Sequence, residues 1–165
     1  MAQPTQYSSW QIRLHWIIAV LVILLLSVLA ETIEDGWKLL EKSGVRNYSL
    51  GVWLHLGPGI LVLALTLWRG VLRLVRGVPA LPENEHPLAK KLAHLTHLTL
   101  YGLLIVVSVS GLLAWYGASD MAAGLHDLTQ ALMIFVIVLH TLAALVHHFI
   151  LKTDVMRRML RRGAD

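Results

Sequence analysis

Four apolar runs, each long enough to cross a bilayer, limit what this chain can become. A transmembrane helix needs about 20 predominantly apolar residues. Such runs extend over residues 12–31, 50–75, 92–116 and 125–151 of the 165-residue chain. Within hydrocarbon only helices and closed barrels satisfy their own backbone groups. Runs of this length predict helices, so the expected fold is all-α, a transmembrane four-helix bundle forming one domain over residues 1–165. Hydrophobic residues make up 56% of the chain and charged residues only 15%, too apolar for a soluble domain of this size. The linker "ETIEDGWKLLEKSGVRNYS" is polar, with room for a short surface helix. "RGVPALPENEHPLAKK" contains three prolines and reads as a non-helical loop. "GASDMAAG" reads as a tight hairpin with Gly117 and Gly124 at its ends.

Charge sets the expected orientation. Arg13, Arg69, Arg73, Arg76, Lys90, Lys91, Lys152, Arg157, Arg158, Arg161 and Arg162 fall on one side of the predicted bundle. The other side has Lys38, Lys42 and Arg46, diluted by Glu31, Glu34, Asp35 and Glu41. The positive-inside rule places both termini in the cytoplasm. The six tryptophans fall near span ends, as an interfacial belt requires. The net charge of +4 is therefore topogenic and gives no case for nucleic acid, while the tail "RRMLRR" suits anionic lipid. Arg13, the first apolar run and "VLA" ending at Ala30 mimic a secretory signal. One charge in a long polar lead and three spans behind favour an uncleaved first helix.

The chain has no cysteine, which excludes disulfides, thiolate metal sites, iron–sulfur clusters and covalent haem attachment. It has nine histidines. His126 and His140 are fourteen residues apart on the fourth predicted helix. That spacing leaves them about 40° out of register on one face and about 21 Å apart along the axis. One helix face thus presents an imidazole near each membrane surface, as two stacked haems would need. His15, at the start of the first helix, lies at the depth of His140. His55, at the start of the second, lies at the depth of His126. The pairs His15–His140 and His55–His126 leave none of the four unpaired, and bis-histidine iron suits electron transfer. Zinc is the competing metal, but ligands so far apart cannot share one tetrahedron. A haem-free metal transporter is disfavoured by the lack of intramembrane carboxylates.

Other candidates sit around these pairs. Gly51, Gly57, Gly59, Gly102 and Gly111 would let a porphyrin approach a backbone. His94 and His97, one turn apart, could bond a haem propionate or a quinone carbonyl. Arg13 could pair with an inner propionate or serve only orientation. His147 is nearly on the face of His140 and is its best substitute, while His86 reads as solvated. No phosphate loop, nucleophile triad or nicotinamide fingerprint is visible.

"RLHW" opening the first helix, a histidine opening the second, "AHLTH" in the third and "VLHTLAALVHH" in the fourth resemble the bacterial cytochrome b561 family. The resemblance covers essentially the whole chain. It implies a four-helix inner-membrane protein with two haem b groups, whose ligands match His15, His55, His126 and His140. It also implies electron transfer. The family's best-defined member looks like a superoxide oxidase that passes electrons to ubiquinone; other relatives are cytochrome b subunits serving dehydrogenase or hydrogenase partners. That superoxide oxidase has a long third loop with basic residues, whereas "GASDMAAG" is short and carries Asp120. An anionic donor would then be gathered by Lys38, Lys42 and Arg46.

Overall fold

The computed structural model describes residues 4–80 and 86–160. Arg161 and Arg162, counted above with the basic tail, lie outside them, as do residues 81–85 of the proline-bearing loop. The described residues form α1 (Ser9–Leu26), α2 (Glu34–Ser43), α3 (Leu50–Arg76), α4 (Pro87–Gly117), α5 (Asp120–Leu145) and α6 (Val155–Leu160). A single 3-10 turn, Glu31–Ile33, leads into α2, and a π turn, Val146–Ile150, extends α5. No strand occurs among the described residues. α1, α3, α4 and α5 with its π turn are each long and apolar enough to cross a membrane. The chain is an all-α bundle of four such helices.

Helix starts follow local capping chemistry. Ser8 and Gln11 form a reciprocal capping box, which starts α1 three residues earlier than the apolar run. Ser27 leaves helical geometry, so α1 ends at Leu26 and does not continue to residue 31. α4 starts at Pro87 rather than at residue 92, with Pro87 at N1 and the His86 ring accepting from the Leu88 N–H. "PLAKK" is therefore helical, which corrects the loop expected there. Ser119 caps α5 from Asp120, five residues before the expected start. The expected hairpin thus shrinks to Ala118 and Ser119. Gly117 and Gly124 both lie in helices, and Ala118 takes the left-handed turn at φ 47°. The polar first linker does hold a surface helix, α2.

α1 packs on α3, α3 on α4, and α4 on α5. One end of the bundle carries the start of α1 and the short helix α6. There Gln11 bonds the Gly77 carbonyl, the Trp16 indole bonds the Met159 carbonyl, and Arg158 bonds the Ala80 carbonyl. This is called the terminal face below. The opposite, hairpin face is covered by α2, whose Leu40 packs with Val52, Leu56 and Trp115. Midway, Ile18, Val22, Val62, Val107 and Met133 form an apolar core. Arg46 bonds the carbonyls of Trp115 and Tyr116, where the last carbonyls of α4 need donors.

The approach to α3 is close at Gly51. A Cβ there would lie 2.5 Å from the Thr32 carbonyl oxygen, a backbone atom that cannot step aside cheaply. Gly51→Ala is expected to destabilise the folded protein by about 1–3 kcal/mol, the usual range for overpacking. A thermal unfolding series in detergent checks this.

Candidate functional site

Two pairs of imidazoles stand at the two ends of the bundle. At the terminal face, His15 of α1 and His140 of α5 have ring centres 6.3 Å apart. At the hairpin face, His55 of α3 and His126 of α5 are also 6.3 Å apart. Each residue is half-buried. A first-row metal binds an imidazole nitrogen at about 2 Å, and that nitrogen sits about 1 Å from its ring centre. Two imidazoles on opposite sides of one iron therefore hold their centres about 6 Å apart. Both pairs have that separation.

Protons are positioned to match. His126 Nδ1 lies 2.7 Å from the Val107 carbonyl oxygen, and His55 Nδ1 lies 3.0 Å from that of Leu29. A carbonyl only accepts, so each Nδ1 carries the proton and donates. The Nε2 lone pair is then left free to bind a metal. Gly111 makes the first bond possible: a Cβ there would sit 2.9 Å from His126 Nδ1. At the hairpin face a cavity of about 340 Å³ opens between the rings, lined also by Gly59, Gly111, Ala123 and Trp115. Trp115 forms part of this wall, and its buried indole N–H has no partner among the described residues, a donor left for a polar group of whatever fills the space. The donor set and this cradle fit a bis-histidine haem.

Comparison with known proteins gives the family. The model of prokaryotic cytochrome b561 matches residues 6–162. The chain belongs to the prokaryotic cytochrome b561 family. It is 37% identical over 161 residues to a cytochrome b562 of Cereibacter sphaeroides, covering 98% of this chain and 99% of that one. It is 30% identical to a probable superoxide oxidase CybB of Yersinia pestis, covering 96% and 98% of the two chains. It is 28% identical to cytochrome b561 homolog 2 of Escherichia coli, covering 98% and 95%. As a cytochrome b561, it is a multi-pass membrane electron-transfer protein of the haem b class.

The remaining expected residues separate. His97 joins the terminal-face pair, with its ring centre 5.2 Å from that of His140. That is closer than two ligands on opposite sides of one iron. Its Nδ1–H donates to Ala93 O at 2.7 Å, so its Nε2 is an acceptor. His94 is exposed and stays outside the cluster. Arg13 is exposed, with its guanidinium 5.4 Å from the Trp10 ring centre. His147 points to Thr153 Oγ1 at 3.1 Å, because the π turn breaks the register assumed from its spacing to His140.

Of the three cations expected to gather an anion, two are engaged. Lys38 pairs with Glu34 at 2.6 Å, and that carboxylate holds its ammonium above the usual lysine range. Arg46 is bound to the end of α4. Lys42 is exposed. Glu31, Glu34 and Asp127 line the hairpin-face cavity. The sequence reading missed Trp115 and also Arg69, which bonds the Tyr101 hydroxyl at 2.6 Å. Arg69 had been counted as an orientation charge although it lies inside the second predicted span.

Gly111→Val should push the His126 ring off the Val107 carbonyl. The expected result is a lower haem content in the purified protein with the fold retained, measured by haem extraction beside circular dichroism.

Proposed function

We propose that this cytochrome b561 carries electrons across the membrane through two b haems, from a donor at the hairpin face to ubiquinone. His55 and His126 would hold one haem, His15 and His140 the other. The observation that carries this reading is the 6.3 Å separation shared by the two imidazole pairs. When bound, haem supplies a one-electron carrier with no open coordination site. The chain keeps His55 and His126 in the required tautomer, holds the two pairs of rings at two depths, and fills the space between with an apolar core. The clustering of Arg76, Lys90, Lys91, Lys152 and Arg157 at the terminal face supports a cytoplasmic location for it in the bacterial inner membrane. His97, with Nε2 free to accept, suits the hydroxyl of a quinol.

Superoxide is the first candidate donor, supported by the similarity to the Yersinia pestis protein. Two superoxide ions would each give up one electron and leave as dioxygen. Ubiquinone would take both electrons and two protons to become ubiquinol. A second reading is favoured by the acidic lining of the hairpin-face cavity. In it, the chain is a membrane cytochrome b subunit fed by a protein partner, whose docked surface would not be repelled as a small anion is.

Two experiments test this reading. His126→Ala and His140→Ala should each remove about half of the bound haem, as expected for one axial ligand per haem. Loss of all haem in both variants, or of none, contradicts the pairing. For the donor, superoxide-driven haem reduction should slow severalfold in the Lys38→Gln/Lys42→Gln double variant, and should slow in the wild type as salt rises. A rate that responds to neither supports the partner-fed subunit.

A further inference from the structure

Arg69 is an intramembrane cation whose counter-charge the described residues do not supply. Fourteen residues separate it from His55 on α3, the spacing that separates His140 from His126 on α5. Each helix therefore presents its first residue at the hairpin face and its second on nearly the same side, about 21 Å nearer the terminal face. Arg69 thus lies at the depth of His15 and His140. Among the described residues its one bonded partner is neutral, the Tyr101 hydroxyl at 2.6 Å, and its buried Nε–H bonds to none of them. Among the described residues Glu34 pairs with Lys38 and Asp154 with Arg158; none brings a carboxylate to Arg69. Arg73, at the same small cavity as Tyr7, Gln11 and Tyr101, adds positive charge.

A guanidinium within a membrane protein is retained where an anion or a fixed set of acceptors meets it. We infer that Arg69 is the binding residue for an anionic oxygen group, a propionate carboxylate of the haem held by His15 and His140. The inference rests on the proposed haem at that pair. The free Nε–H and the remaining guanidinium hydrogens provide the planar fork that a carboxylate accepts. Arg13, which the sequence offered for this task, sits over Trp10 instead. A lipid phosphate shares the same chemistry, but the shared depth of Arg69 with His15 and His140 favours a group carried by the haem.

Midpoint potentials of the purified holoprotein, in phospholipid nanodiscs and in phosphate-free maltoside detergent, test this inference. An uncompensated carboxylate favours ferric iron. Arg69→Gln should therefore shift one haem about tenfold toward the oxidised form, about 59 mV lower for a one-electron couple, in both media. The affected haem should be the one that survives in His126→Ala. Unchanged potentials overturn the inference, and a shift confined to the nanodiscs overturns it by assigning Arg69 to a lipid phosphate. If Arg69→Gln does not retain its haem, Arg69→Lys decides. The carboxylate band of haem labelled with ¹³C at its propionates should then move in the reduced-minus-oxidised infrared spectrum, and an unmoved band overturns the inference. Failure of the haem reading itself would appear separately, as wild-type protein lacking a haem at His15 and His140.

Discussion

An imidazole buried among apolar helices must place its N–H on an acceptor, and the hairpin-face site depends on that requirement. An unpaired polar group in hydrocarbon costs several kcal/mol, and backbone carbonyls are the acceptors at hand. His126 uses the Val107 carbonyl within α4, and His55 uses the Leu29 carbonyl just beyond α1. Each bond reaches from the histidine's own helix to another part of the chain. Each fixes ring orientation and tautomer together, leaving Nε2 bare. Gly111 provides the space, because α4 can be approached closely only where it lacks a side chain.

From that bond the rest of the bundle follows. α5 contributes a histidine to each end, so α1 and α3 must bring His15 and His55 to matching depths. α1 enters the bundle at the terminal face and α3 enters at the hairpin face, so each has its histidine near its own start. Met133 lies seven residues from both His126 and His140, in the core that separates the two sites. At the hairpin face α2 lies across the helix ends. Its packing on Val52 and Trp115, with the Arg46 bonds to α4, closes the cavity from one side. The charges left around that cavity are largely acidic or already paired, which bears directly on the donor.

Much of this was legible in the sequence because membrane helices obey few rules. Apolar length gave the four helices, and the fourteen-residue spacing of His126 and His140 proposed partners at two depths. What was misread has identifiable causes. Helix ends were placed where the apolar run stopped, yet Ser8, Pro87 and Ser119 start helices in polar sequence through capping. His147 was placed by an unbroken α-helical period that the π turn interrupts. Arg69 was overlooked because counting charges by side hides depth. The spacing used for His126 and His140 would have revealed it, since His55 and Arg69 repeat that interval. The Gly111 approach and the Trp115 wall depend on neighbouring helices and have no local signature.

The central claim is that this cytochrome b561 holds two six-coordinate haems, one near each membrane surface. The haem-to-polypeptide ratio of the wild-type protein, with the electron paramagnetic resonance spectrum of its oxidised form, tests it most directly. The account predicts two haem b per chain, both low-spin with nitrogenous axial ligands. A ratio of one, or a high-spin ferric signal from either haem, would contradict it.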